Sequence, residues 1–207
     1  MNRLLSLAAA TAAVLFLLLP LTAHTEDLAP EFSGSYVNDI NHTRFLWKIG
    51  HLGLSNYTAR INEVAMSLSL DASDLENSRI EVSIDPRKVD TGFIGDKDFN
   101  EEIYADERIL NADQFPSIDF VSESIEERDD GSLIVRGDLT LLGVSLPVVL
   151  NVALTGSTLD HPFMNVPALG FHATGTIDRT DFGLDFLSGS ALGDQIEIDV
   201  QAEFIKQ

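Results

Sequence analysis

The sequence predicts an all-β, antiparallel domain of eight or nine strands, closed as a barrel or stacked as a sandwich. Three observations predict it. Apolar and polar residues alternate with a period of two over most of the chain beyond residue 34. Turn signals separate the alternating runs, at Asp129-Asp130-Gly131, Leu142-Gly143-Val144 and Gly189 to Gly193. A parallel α/β sheet would need a helix between successive strands, and only Pro86 to Pro116 has room for one.

The elements follow in order. Phe45, Trp47 and Ile49 face away from Arg44 and Lys48. Val64, Met66, Leu68 and Leu70 alternate with Ala65, Ser67 and Ser69. Ile80, Val82 and Ile84 oppose Arg79, Glu81, Ser83 and Asp85. The one helical stretch spans Asp96 to Tyr104, with Asp96 as N-cap and Phe99 and Ile103 one turn apart. Runs at Ile118–Ile125 and Leu133–Leu142 come next. Leu146, Val148, Leu150, Val152 and Leu154 then share a face. Phe171, Ala173, Gly175 and Ile177 oppose His172, Thr174 and Thr176. Last, Ile196, Ile198, Val200, Ala202 and Phe204 alternate with Glu197, Asp199, Gln201 and Glu203. One wet face per strand is the signature of antiparallel hairpins. No repeat, low-complexity tract or linker divides the chain, so a single domain over 34–207 is expected.

Met1 to Ala23 has the order of a secretory signal peptide: Arg3, an apolar run from Leu4 to Leu19, Pro20, then Leu21-Thr22-Ala23 as the cleavage site. The apolar run is about 16 residues, short of the roughly 20 that span a bilayer. A cleaved signal peptide (1–23), a flexible mature N-terminus (24–33) and periplasmic location are therefore expected. No other stretch is apolar enough to cross a membrane as a helix.

Composition narrows the function. Apolar residues make up 44% and charged residues 22%, a globular balance, and the formal net charge is −20. Only four lysines occur, Lys48, Lys88, Lys97 and Lys206. Nucleic acid is thereby excluded as a partner, since phosphate binding needs a basic patch. An anionic membrane would repel the protein. The absence of cysteine removes disulfides, thiolate metal sites and cysteine nucleophiles. An outer-membrane barrel would have to place Glu197, Asp199 and Glu203 in its lumen and would carry aromatic girdles; the soluble form, apolar face inward, is expected.

A search for catalytic apparatus finds none. His42 and His51 stand nine residues apart, and no His-x-His or His-x-x-x-His spacing occurs. These histidines, with His172, read as hydrogen-bonding groups in turns or at a rim rather than metal ligands. No Gly-x-Ser-x-Gly elbow, P-loop or dinucleotide fingerprint is present. Asp178-Arg179-Thr180-Asp181 reads as a local ion pair at a strand end, and Asn56-Tyr57-Thr58 matches a glycosylation sequon. No metal or cofactor is expected, and a non-enzymatic binding role is. A closed barrel of about eight strands has an interior just wide enough for one small ligand.

Four segments in order resemble the YceI-like family. They are Asp39-Ile40-Asn41-His42-Thr43-Arg44-Phe45 with Gly50-His51-Leu52-Gly53; Val89-Asp90-Thr91-Gly92 with Asp113-Gln114-Phe115-Pro116; Gly137-Asp138-Leu139-Thr140-Leu141-Leu142-Gly143 with Pro147; and Gly170-Phe171-His172-Ala173 with Asp178-Arg179-Thr180-Asp181-Phe182-Gly183. The resemblance implies an elongated eight-stranded lipocalin-like barrel with a short helical insertion near its opening. It further implies a long apolar chain in the interior, a polyisoprenoid, an isoprenoid quinone or another long-chain lipid. The candidate ligand-binding residues are Phe45, Trp47, Met66, Phe99, Phe120, Leu139, Leu141, Leu150, Phe171 and Ile198. A membrane cytochrome and a second copy of the chain are the candidate protein partners. The alternatives are an accessory to quinone redox chemistry, with His42, His51 or His172 near a head group, and a stress-response barrel with a filled core. The chain departs from the family pattern at Lys97-Asp98-Phe99-Asn100-Glu101 and at Ile109-Leu110, both expected near the opening.

Overall fold

The computed structural model describes residues 28–207. Eleven strands form one sheet: β1 (Gly34–Asn38), β2 (Arg44–His51), β3 (Ser55–Ile61), β4 (Val64–Leu70), β5 (Arg79–Ile84), β6 (Val89–Asp90), β7 (Ile118–Glu127), β8 (Leu133–Leu141), β9 (Val144–Thr158), β10 (Ala168–Asp178) and β11 (Leu192–Lys206). The first six are three long staves, each broken once. The stave β1–β2 runs antiparallel to β3–β4, with Val37 opposite Ser67 and Phe45 opposite Ile61. That stave pairs in turn with β5–β6. With β7 to β11 they make eight staves, each bonded to its neighbour in sequence, and β11 closes the ring on β1 and β2. The molecule is thus a closed antiparallel barrel, which settles the choice between barrel and sandwich, although β6 and the Ser55–Ala59 stretch of β3 lack a ladder partner on one side.

The alternating apolar residues point inward, the reverse of a lipid-facing barrel. Sequence periodicity locates the staves but misses β1, β3 and β6. Two of these are short, and β3 sends in only Tyr57, Ala59 and Ile61, with a small residue in the middle.

The three breaks lie side by side and form a crease across neighbouring staves. At each, backbone leaves the ladder and a polar side chain takes over its bonds. Buried Asn38 donates from Nδ2 to the Val64 carbonyl and the Thr43 hydroxyl, both at 2.9 Å, and accepts from Met66 N–H at 2.8 Å. Asp39 and Asp85 cap the short turns that follow, accepting from Asn41 N–H at 2.8 Å and Arg87 N–H at 2.9 Å. A bulge between Ser122 and Ser124 shifts the phase of β7, so that Phe120 and Ile125, five apart, both face inward. Gly137 sits opposite that bulge, where a Cβ would strike the Val121 carbonyl oxygen.

The single α-helix among the described residues, α1, spans Phe99–Ala105. Its N-cap is Asp98, not the expected Asp96: Asp98 Oδ1 accepts from Glu101 N–H at 2.9 Å. Of the segment expected to be flexible, residues 28–33 are described, and they pack. Phe32 is buried, and its carbonyl accepts from the Tyr36 hydroxyl at 2.6 Å. These residues therefore pack beside β1, the first strand, which itself begins at Gly34. Residues 24–27 and the expected signal peptide lie outside the described residues.

Replacing Asn38 by Ala leaves Val64 C=O and Met66 N–H buried without partners, an expected loss of about 2–4 kcal/mol, read as a lower urea midpoint at unchanged m-value. His42 Nδ1 lies 2.8 Å from Asp39 Oδ2. That bond raises His42 above its ordinary 6.5 and holds Asp39 below its ordinary 3.8. A raised histidine stabilises the fold fully below its unfolded value and ceases to as pH climbs through its folded one. Urea midpoints of His42→Gln should therefore fall short of wild type below pH 6.5 and converge with it at alkaline pH.

Candidate functional site

The barrel encloses a cavity of about 720 Å³. Eight strands leave room for side chains to fill an interior completely, and here they do not. One end is stopped by packed residues, with Leu28, Leu70, Leu75 and Phe204 among the lining. The other opens between α1 and the loop 179–191, where Arg108, Phe186 and Leu187 line it. Along β11 the lining runs from Leu192 to Phe204. At about 3.3 Å per residue and a tilt near 40°, that is a bore about 30 Å deep. A volume of about 720 Å³ over that depth gives a width of about 5–6 Å, the thickness of a single hydrocarbon chain.

All ten sequence-derived candidates, Phe45, Trp47, Met66, Phe99, Phe120, Leu139, Leu141, Leu150, Phe171 and Ile198, border this one cavity. Inward alternation on a closed barrel brings them together from seven staves and α1. Of the three histidines considered for head-group chemistry, only His51 reaches the cavity. His42 is bonded to Asp39, and His172 lies 3.3 Å from Asp199. Among the described residues, no cluster of three or more His, Asp or Glu is placed to hold a metal.

The polarity of the lining is graded. Ser78, toward the closed end, accepts from Asp71 N–H at 2.9 Å. Every other polar or charged liner stands at the mouth: His51, Tyr57, Glu102, Asp106, Arg108 and Arg179. The charges there are matched. Lys97 Nζ lies 2.6 Å from Glu102 and 4.5 Å from the Phe99 ring centre. Arg108 donates to both oxygens of Asp106, at 3.0 and 2.6 Å, and lies over Phe186 at 4.4 Å. Those bonds lower the Asp106 pKa to about 2, so the pair is ionised at physiological pH. An aromatic series climbs from bore to rim: Trp47 to Tyr57 (6.2 Å), Tyr57 to Phe99 (6.3 Å), Phe99 to Phe93 (5.2 Å). Asn100 pins α1 beside it, its Oδ1 accepting from Thr91 N–H at 2.9 Å and the Thr91 hydroxyl at 2.7 Å.

Arg179 departs from its sequence reading as a local ion pair. It is 1% exposed. Its Nε donates to the Gly193 carbonyl at 2.8 Å, and its Nη1 to those of Leu184 and Phe186 at 2.5 and 3.0 Å. Asp194 stands 3.6 Å from Nη2. Asp178 instead accepts from Thr180 N–H at 3.0 Å and Gln195 at 3.0 Å. Arg179 thus lashes the loop that carries Phe186 and Leu187 to the start of β11. Nothing in its neighbours on the chain announces this, because its partners are backbone carbonyls. The mouth pairs are equally silent in sequence. Tyr57 was within reach, since it shares the inward face of Ala59 and Ile61.

The YceI-like domain family matches residues 36–204. A UPF0312 protein of Shewanella denitrificans is 30% identical over 191 residues, covering 92% of this chain and 93% of its own. Among solved structures, Burkholderia cenocepacia BcnA aligns with a TM-score of 0.69 at 18% identity, covering 80% of this chain and 98% of its own. A polyisoprenoid binding domain from Saccharophagus degradans aligns at 0.59 and 13%, covering 83% of this chain and 98% of its own. These structures share the fold.

Arg179→Lys keeps one charge and loses the planar fork that reaches three carbonyls. It should cost about 2–3 kcal/mol of stability. Amide exchange in 184–193 should rise above that of the barrel staves; uniform change across the barrel would contradict the lashing role.

Proposed function

Because the chain belongs to the YceI-like family, we propose that it binds one long-chain isoprenoid lipid, tail along the bore and head group at the mouth, as a periplasmic carrier or store. The observation that carries this reading is the grading of the lining: an apolar, chain-wide bore with polar groups gathered at its open end. The polyisoprenoid binding named for one structural relative points the same way.

The energetics suit a tail-driven ligand. Burial contributes about 0.8 kcal/mol per methylene-sized group, against an association cost of at least about 4 kcal/mol. About fifteen buried groups then reach micromolar affinity. Lys97 and Arg108 at the mouth are each matched by a carboxylate, and Asp194 stands 3.6 Å from Nη2 of Arg179, the one nitrogen of that side chain without a hydrogen-bond partner, which favours an uncharged head such as a quinone or alcohol. A filled-core barrel is at odds with the cavity. A redox accessory would rely on His51 alone among the three histidines, and a membrane cytochrome or a homodimer would be added to the binding role, not replace it.

An extended chain advances about 1.2 Å per bond. The bore therefore takes about 25 chain atoms, or about six isoprene units. Trp47, the only tryptophan, lines the bore and reports on its occupancy. Titrating prenols of increasing length against its fluorescence should show affinity rising to about six units and then levelling. Leu150→Lys should weaken binding at least tenfold while circular dichroism confirms the barrel. No Trp47 response to any prenol or quinone, or equal affinity in folded Leu150→Lys, would overturn the proposal.

A further inference from the structure

The rim of the mouth exposes apolar side chains that no packing requirement explains. Ile94 is 97% exposed, Leu54 84%, Leu52 55%, Phe93 46% and Leu187 44%. They come from three separate segments that adjoin one another. The turn after β2 carries Leu52 and Leu54, and Leu52 N–H donates to Ala191 O at 2.7 Å, which ties it to the loop bearing Leu187. Phe93 stacks on Phe99, which meets Tyr57 of β3, so the Phe93-Ile94 tip stands on the other side of the same turn. The result is an arc of apolar tips along one side of the opening.

Behind the tips the surface is acidic: Asp96, Asp98, Glu101 and Glu107 are exposed, and the two nearby cations, Lys97 and Arg108, are already paired. We propose that this arc seats the open end of the barrel on a zwitterionic bilayer, the tips entering the interface and the acids lying against the ammonium layer of the head groups. The tips protrude singly, with no groove between them. Five side chains also fall far short of the roughly 20–30 residues a side that a stable protein interface uses. An interfacial layer accepts such knobs without shape matching. The inference rests on the lipid-binding reading only for its purpose, cargo exchange; the docking itself is measurable without cargo.

The test is flotation of the purified protein with vesicles of phosphatidylethanolamine and phosphatidylcholine. Wild type should float with them. Doping with phosphatidylglycerol should cut the bound fraction severalfold at low salt, and added salt should restore it. Leu54→Asp with Ile94→Asp should weaken binding at least about tenfold. Phe163→Asp, at an exposed apolar tip on the opposite end, should leave it unchanged. Wild type that stays unbound, or mouth and far-end variants that behave alike, would overturn docking, as would a dimer in sedimentation that only the mouth variants abolish. Ile94→Asp alone, at a fully exposed tip, serves should the double variant fold poorly. The prenol titration without vesicles separates the two ideas: vesicle binding without a Trp47 response sinks the cargo reading and leaves docking standing, and the reverse sinks docking alone.

Discussion

A dry bore through a protein can persist only if no backbone group around it is left wanting a partner. Hydrocarbon side chains offer none. The ladder of a closed barrel satisfies nearly every group, but long staves must bend to close. Each bend breaks the ladder over the apolar space where an orphaned N–H or C=O is most costly. The buried polar side chains answer this constraint. Asn38 and Thr43 serve the crease, Ser122 the bulge in β7, Ser78 and Thr91, which accepts from Phe93 N–H, the turns at either end, and Arg179 the loop over the mouth. All of them bond to backbone, so the interior stays apolar although the strands are irregular.

The same constraint divides what the sequence makes legible from what it hides. Inward alternation is a local signal repeated along every long stave, so Trp47, Leu139, Leu150 and Ile198 could be placed in one lining from their own neighbours. The bends lie outside that signal. Asn38 looks like any polar residue at a strand end until Val64 and Met66 come alongside it. The step from Phe120 to Ile125 breaks period two, and only the pairing with Gly137 shows it to be a bulge. Arg179 beside Asp178 and Asp181 reads as one of many local charges, whereas its partners lie up to 14 residues away on backbone oxygens. Helix capping fails more modestly: Asp96 and Asp98 are equivalent in sequence, and the path of the chain chooses between them.

The apolar bore and the polar mouth are built by different parts of the chain. The bore is built by strands and is uniform, so it measures length and little else. The mouth is built by the 91–117 insertion and the loop 179–191, segments free to vary without disturbing the ladder. The departures from the family pattern at Lys97–Glu101 and Ile109-Leu110 fall there, beside the Lys97–Glu102 and Arg108–Asp106 pairs. Under the lipid-binding proposal, changes in these segments would alter the head group accepted and leave the bore as it is.

A bore one chain wide, closed at its far end, also imposes an order on exchange. A molecule inside cannot turn round, and a second cannot pass it. Leaving is a slide in single file, head first and tail last. In water, each ångström of that slide strips hydrocarbon of its cover, so the barrier to escape grows with tail length and the loaded state is long-lived whatever its equilibrium constant. Against another apolar phase the same slide is nearly level, because each segment is received as it emerges. Release of a tail bound there would thus be governed by what stands in front of the opening, and retaining it would need no moving lid.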